Sequence, residues 1–145
     1  MSTLRHVGLI VSDIDKALSI YRDILGFNPK IDQIESGEFY EHLTGITSGK
    51  ARTLKCYSSD GTCIELIQYL SPESKEIRIN RNDLGAAHIA FYVEDIDKFY
   101  NDKSAQGLSP INQPAEHRDD NGTLIRKVMY AQDPDGNWLE FVELL

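Results

Sequence analysis

Four side chains in this sequence are of the types that hold metal ions and move protons, and they come in matched pairs: His6 with His88, and Glu65 with Glu140. Each histidine opens a short run rich in β-branched or aromatic residues, from His6 to Val11 and from His88 to Val93. Each glutamate lies between apolar neighbours, in Ile64-Glu65-Leu66 and Leu139-Glu140-Phe141. Taken singly, a histidine at a strand start is more often structural, and a glutamate alternating with apolar residues usually marks the solvated face of an antiparallel strand. Their equivalent placement argues otherwise, because surface decoration does not repeat itself in this way. Two imidazoles and two carboxylates suit Ni, Co, Mn, Fe or Zn, and a six-coordinate ion would keep two positions for water or substrate. A closed structural zinc more often uses thiolates. Cys63 precedes Glu65 by two residues on the same strand face, but its counterpart is Trp138, so the repeat argues against a ligand there. Cys56 has no ligand counterpart either, and both cysteines read as reduced packing residues.

The repeat that pairs these residues is internal to the chain. His6 to Lys16 and His88 to Lys98 are identical at six of eleven positions, and the other apolar positions match in kind. A second match joins Asp60-Gly61-Thr62-Cys63-Ile64-Glu65-Leu66 to Asp135-Gly136-Asn137-Trp138-Leu139-Glu140-Phe141. The order of the pieces is kept, with a longer middle in the first half. The 145 residues therefore read as a single domain of two modules, about 1–70 and 86–145. The polar stretch at about 71–85 joins them.

Each module has the same local grammar. The runs that open with the histidines predict strands. On those strands His6 shares a face with Gly8 and Ile10, and His88 with Ala90 and Tyr92, so the residue two along from each histidine is small and leaves room beside it. Val7, Leu9 and Val11, like Ile89, Phe91 and Val93, fill the other face. Ser12 and Asp13 suit a helix N-terminus, and Ile14, Ala17, Leu18, Tyr21, Ile24 and Leu25 follow helical spacing. Gly26 stands where a left-handed stop is wanted. The second helix repeats this with Ile96, Phe99 and Tyr100 inward and Gly107 as its stop, although Asn101, Asp102, Lys103 and Ser104 make its second half more polar. Residues 51–57 and 62–69 predict a hairpin around Asp60-Gly61, and 124–131 with 138–144 predict another around Asp135-Gly136. Ser109–Gly122 reads as a loop. The expected fold is α+β: βαβββ twice, with helices outside curved antiparallel-type sheets.

Composition narrows the partners. Hydrophobic content is 41%, charged 26% and aromatic 9%, an ordinary globular profile. The net charge of -8 repels nucleic acid and anionic membranes at long range, and the basic residues are scattered rather than striped. No apolar run nears the roughly 20 residues that cross a bilayer. No N-terminal signal or transit segment is read, so a cytoplasmic protein is expected, acting on a small molecule, with no nucleic acid or membrane partner. Arg118, Arg126 and Lys127 are candidates to meet an anionic substrate, although Arg126 and Lys127 point to opposite faces of a strand. His42 and His117 fall in loop-like sequence without repeat partners and are not expected to be ligands.

At these residues the chain resembles the vicinal oxygen chelate superfamily, which includes glyoxalase I, methylmalonyl-CoA epimerase, extradiol dioxygenases, and the fosfomycin and bleomycin resistance proteins. The resemblance covers nearly the whole chain. It rests on His6 with Val11-Ser12-Asp13 and Tyr21-Arg22-Asp23-Ile24-Leu25-Gly26-Phe27, on Gly61 to Leu66, on Gly85 with His88 to Phe91, and on Asp133 to Glu140. It implies the paired βαβββ fold and maps metal ligands onto His6, Glu65, His88 and Glu140. The dioxygenases and fosfomycin enzymes use three protein ligands, so a fourth at Glu65 resembles the lyase and isomerase branch represented by glyoxalase I. In that branch the metal holds a carbonyl and its neighbouring oxygen, an enediolate forms, and a glutamate removes and returns the proton. The resemblance makes Glu140 the expected base and Glu65 its counterpart, both catalytic. Ile10 stands where many bacterial glyoxalase I sequences carry an arginine for glutathione, and Asn137 where they tend to have tyrosine. Both departures weaken a glutathione-dependent reading, and no basic cluster suits coenzyme A. The alternatives are an extradiol-type Fe(II) dioxygenase and a non-enzymatic small-molecule or antibiotic-binding resistance protein. The superfamily implies a homodimer, with the site either within one chain or shared between two.

Overall fold

The β-branched run after His6 forms strand β1 (Val7–Ile10), and Asp13 starts helix α1 (Ile14–Tyr21) in the computed structural model. The structure describes every residue except Ser104 and Ala105, and Lys103 without its side chain. The expectation placed on Ser104 therefore lies outside the described residues. By its contacts the chain divides into two units, Met1–Glu76 and Ile77–Leu145.

In the first unit α1 leads to β2 (Asn28–Ser36), α2 (Glu38–Thr44), β3 (Lys50–Tyr57) and β4 (Cys63–Ser71). The sheet order is β1-β4-β3-β2. The strands from β2 to β4 pair antiparallel, but β1 lies parallel to β4. The sheets are thus mixed, not purely antiparallel. The α1 crossover returns the chain to the sheet so that the first strand ends beside the last, running the same way. Asp13 caps α1 by accepting from the amides of Asp15 and Lys16, which satisfies two of the helix's orphan donors. Ile14, Ala17, Leu18, Ile20 and Tyr21 are buried against the sheet with Val11, Leu54, Ile64 and Leu66. The helix is shorter than its apolar spacing predicts. Regular geometry ends at Tyr21, and turns closed by the Ile20 carbonyl carry Ile24 and Leu25 to Gly26, whose φ of 76° fits the expected left-handed stop. Helix α2 was not legible as a helix in the sequence, and it carries His42, which is therefore helical rather than in a loop.

The second unit repeats the plan with β5 (His88–Tyr92), α3 (Ile96–Lys103), β6 (Ser109–Pro110), β7 (Ala115–Arg118), β8 (Leu124–Gln132) and β9 (Trp138–Leu144). Its sheet order is β5-β9-β8-β6, with β7 also paired to β8 and β5 parallel to β9. The stretch 109–122 is not simply a loop: both short strands within it pair with β8, and His117 lies on β7. Asp95 accepts from the Lys98 amide as Asp13 does from that of Lys16. Ile96, Leu139 and Phe141 are fully buried, and Phe99 packs on Phe141 with ring centroids 4.6 Å apart.

The symmetry extends to a detail the sequence did not announce. Gln68, three residues after Glu65, accepts from the first amide of α1 at 3.1 Å. Glu143, three residues after Glu140, accepts from the first amide of α3 at 3.0 Å. Each last strand therefore fixes its helix with one side chain and presents its glutamate, three residues earlier, on the opposite face of the sheet. No helix among the described residues is long and apolar enough to cross a membrane.

Candidate metal and catalytic site

The parallel pairing fixes where the chemistry sits in each unit. Gly8 is in register with Glu65, and Ala90 with Glu140, so a small residue stands beside each carboxylate, as the strand alternation predicts. His6 immediately precedes β1, and its Nε2 lies 3.1 Å from Glu65 Oε2. His88 opens β5, and its Nε2 lies 2.9 Å from Glu140 Oε2. The sequence-predicted residues thus come together as His6 with Glu65 and His88 with Glu140, one pair in each unit. Among the described residues, no third His, Cys, Asp or Glu joins a pair to form a cluster within its unit.

The pairs suit a metal ion. Two donors at right angles, each about 2.1 Å from one ion, stand about 3 Å apart. Both observed separations have that value. Nitrogen Nε2 is the atom each histidine turns toward its glutamate, while His6 Nδ1 is buried without a hydrogen-bond partner.

The two glutamates have different third neighbours, and sequence reasoning missed both. Lys55 on β3 is in register with Glu65, and its ammonium lies 2.6 Å from Glu65 Oε1, with both side chains nearly buried. Tyr130 on β8 occupies the equivalent place opposite Glu140. Its phenol is pushed above the usual tyrosine range, first by burial and then by its hydrogen bond to Glu140. Tyr130 also meets His88 edge-on at 5.4 Å. The signal that could have found them is equal spacing: each residue precedes its glutamate by the same interval across the Asp-Gly turn.

The turns that bound the sites are built from their own side chains. Ser58 and the Thr62 amide hydrogen-bond to Asp60, holding its carboxyl at about 2. Asp133, buried, accepts from the amides of Asp135 and Asn137. In the first unit a cleft of about 350 Å³ opens between Leu4–His6 and the turn at Asp60–Cys63. Cys63 is small enough to leave it. In the second unit Trp138 holds the matching position and donates its indole N–H to the Ile79 carbonyl at 3.0 Å.

The other candidates are engaged elsewhere. Cys56 and Cys63 are free, buried thiols, and burial pushes Cys56 up to about 11. Arg118 pairs with Glu116, Lys127 with Asp97, and Arg126 donates to His117 Nδ1.

The profile of the Glyoxalase/Bleomycin resistance protein/Dioxygenase superfamily matches residues 3–141. The chain belongs to this superfamily. A probable lactoylglutathione lyase from Synechocystis is 29% identical over 141 residues, covering 97% of this chain and 94% of that protein. A glyoxalase family protein from Bacillus cereus has the same fold, with a TM-score of 0.87 at 22% identity, over all of this chain and 95% of its own. The fosfomycin resistance protein FosX from Listeria monocytogenes, solved with Mn(II) and sulfate, aligns with a TM-score of 0.65 at 17% identity, over all of this chain and 94% of its own. The paired βαβββ architecture of the superfamily is what both units display.

Proposed function

We propose that this superfamily member is a divalent-metal-dependent lyase or isomerase that removes and returns a proton next to a carbonyl of a small-molecule substrate. The observation that carries the reading is the repeated donor pair: His6 with Glu65 and His88 with Glu140, each near 3 Å and each in the same register. In this reading the two pairs serve one ion of the Ni, Co, Mn, Zn or Fe class, and a second copy of the chain is the protein partner. The lactoylglutathione lyase relative and the Mn(II)-bound FosX support the metal and the reaction class. When bound, the ion would supply Lewis-acid polarisation of the substrate's oxygens.

Glu140 is the base. Its oxygens face an imidazole and a neutral phenol, and a carboxylate so placed retains lone pairs to accept a proton. Glu65 has one oxygen committed to the Lys55 ammonium and the other to His6, which supports a binding and positioning role for it rather than that of the base.

Lys55 also favours a second reading. If its ammonium keeps Glu65 off the ion, His6, His88 and Glu140 form a two-histidine, one-carboxylate set, the donor set of non-haem Fe(II) oxygenases. That centre demands Fe(II), consumes oxygen with catechols, and keeps its activity in Glu65→Ala. The antibiotic-binding reading requires tight drug binding with no turnover.

Metal analysis of the purified protein beside the quadruple alanine variant at His6, Glu65, His88 and Glu140 tests the proposal. About one ion per site, lost in the variant, supports it and leads to screens with hemithioacetals, acyl-CoA epimers and catechols. Failure to bind any divalent metal after reconstitution overturns it.

A further inference from the structure

Among the described arginines, Arg22, Arg52 and Arg118 each pair with a carboxylate. Arg81 pairs with none among the described residues. Its guanidinium instead lies 3.5 Å above the ring of Tyr130 and 5.6 Å from that of Trp138. Tyr130 hydrogen-bonds Glu140, so a single phenol separates a fixed cation from the carboxylate read above as the base.

The placement of Arg81 is built rather than incidental. Trp138 Nε1 holds the Ile79 carbonyl, tying the chain two residues earlier to the start of β9. Asn80 donates both its amide and its side-chain NH2 to Asp83 Oδ2, at 2.7 and 3.0 Å. The Asp83 amide closes on the Asn80 carbonyl, and the Ala86 amide on the Asp83 carbonyl. Arg81 is therefore fixed on both sides, half-buried and presented by a closed turn.

The stacking decides what the guanidinium can do. Arg81 also hydrogen-bonds the Tyr130 phenol, which occupies one of its five N–H donors and leaves the others to meet a ligand. The remaining donors suit a planar carboxylate, which accepts two parallel hydrogen bonds from a guanidinium. The chain carries a net charge of -8, so its general field does not draw anions, and an anionic ligand must be met by a specific donor.

We infer that Arg81, stacked on Tyr130 beside Glu140 and His88, is the substrate-binding residue for a carboxylate group, which makes the substrate a small carboxylate-bearing carbonyl compound. The inference rests on the reading of Glu140 as the reacting carboxylate. It makes Arg81 specificity-determining rather than catalytic.

Trp138 is the sole tryptophan and lies beside Arg81, so its emission reports binding directly. The probe is pyruvate, titrated into wild type, Arg81→Lys and Arg81→Gln, each both metal-free in EDTA and loaded with Mn(II). The expected result is saturable binding that weakens about tenfold or more in Arg81→Gln, the loss of a charge-assisted hydrogen bond. Arg81→Lys, which keeps the charge without the fork, falls between, and methyl pyruvate binds no better than to Arg81→Gln. Unchanged pyruvate affinity in both variants overturns the inference, as does equal affinity for methyl pyruvate or tighter binding of inorganic phosphate. Loss in Arg81→Gln measured in EDTA, in a protein that takes up no divalent metal, keeps the carboxylate site and discards the metal reading. Mn(II) binding with no effect of Arg81 on pyruvate does the reverse.

Discussion

The first unit and the second build one motif, yet they surround its glutamate differently. Glu65 faces a buried ammonium, with a small cysteine two residues before it and a cleft alongside. Glu140 faces a phenol, with an indole two residues before it and a guanidinium stacked above. Duplication conserves what the backbone dictates: the parallel register, the small residue beside the carboxylate, the aspartate cap, and the polar side chain that receives the first helical amide. The position directly across the hairpin carries no such backbone duty. There the two copies have separated, with an ammonium facing the glutamate in one and a phenol in the other.

The sharpest way to break this comparison is to treat the glutamates alike. Glu140→Gln is expected to lower kcat on the order of 10³-fold or more, the usual worth of a general base, with the fold intact by circular dichroism. Glu65→Gln is expected to lower it far less and to weaken metal binding instead. Equal losses in kcat would make the two carboxylates equivalent and remove the division of labour.

Next in size is stability. Lys55→Met leaves the nearly buried Glu65 without its cation and is expected to cost about 3 kcal/mol in urea unfolding of the metal-free protein at neutral pH. Tyr130→Phe removes one hydrogen bond to Glu140 and should cost about 1 kcal/mol. A Tyr130 effect as large as that of Lys55 contradicts the asymmetry.

The caps test the shared part. Asp13→Ala and Asp95→Ala should each cost about 1 kcal/mol, since both aspartates accept the amide three residues ahead. Clearly unequal costs would show that the repeat's backbone symmetry does not extend to its energetics.

The smallest effect is alkaline. Burial raises the Cys56 thiol from 9.0 to about 11, so the folded state favours its protonated form. Its contribution is complete below the unfolded value of 9.0 and is lost as pH rises through 11. Cys56→Ala should flatten the fall in stability between those limits, whatever it does to the neutral-pH value.

Much of the candidate site was legible because the chain states it twice. His6, Glu65, His88 and Glu140 stand out through the internal repeat, while the Asp13 cap, the Asp-Gly turns and the buried helix faces follow from local pattern. The parallel pairing of each first strand with its last and the short strands within 109–122 were not legible for one reason: strand direction and short edge pairing depend on where a crossover returns, which no local pattern records. Helix α2 was missed because Glu38–Thr44 leaves Phe39 and Leu43 exposed and buries only Tyr40, giving no amphipathic stripe.

The sequence by itself carried the internal repeat that pairs His6 with His88 and Glu65 with Glu140, and pointed to the family to which the chain belongs. Only the tertiary structure decided which side chains stand across from those glutamates, and which cation lies over the Tyr130 ring. Lys55, Tyr130 and Arg81 are unremarkable in their own segments. A cross-strand partner is chosen by register, and a stacked partner by the path of a distant loop. Both are set by hydrogen bonds and packing between segments far apart in the chain.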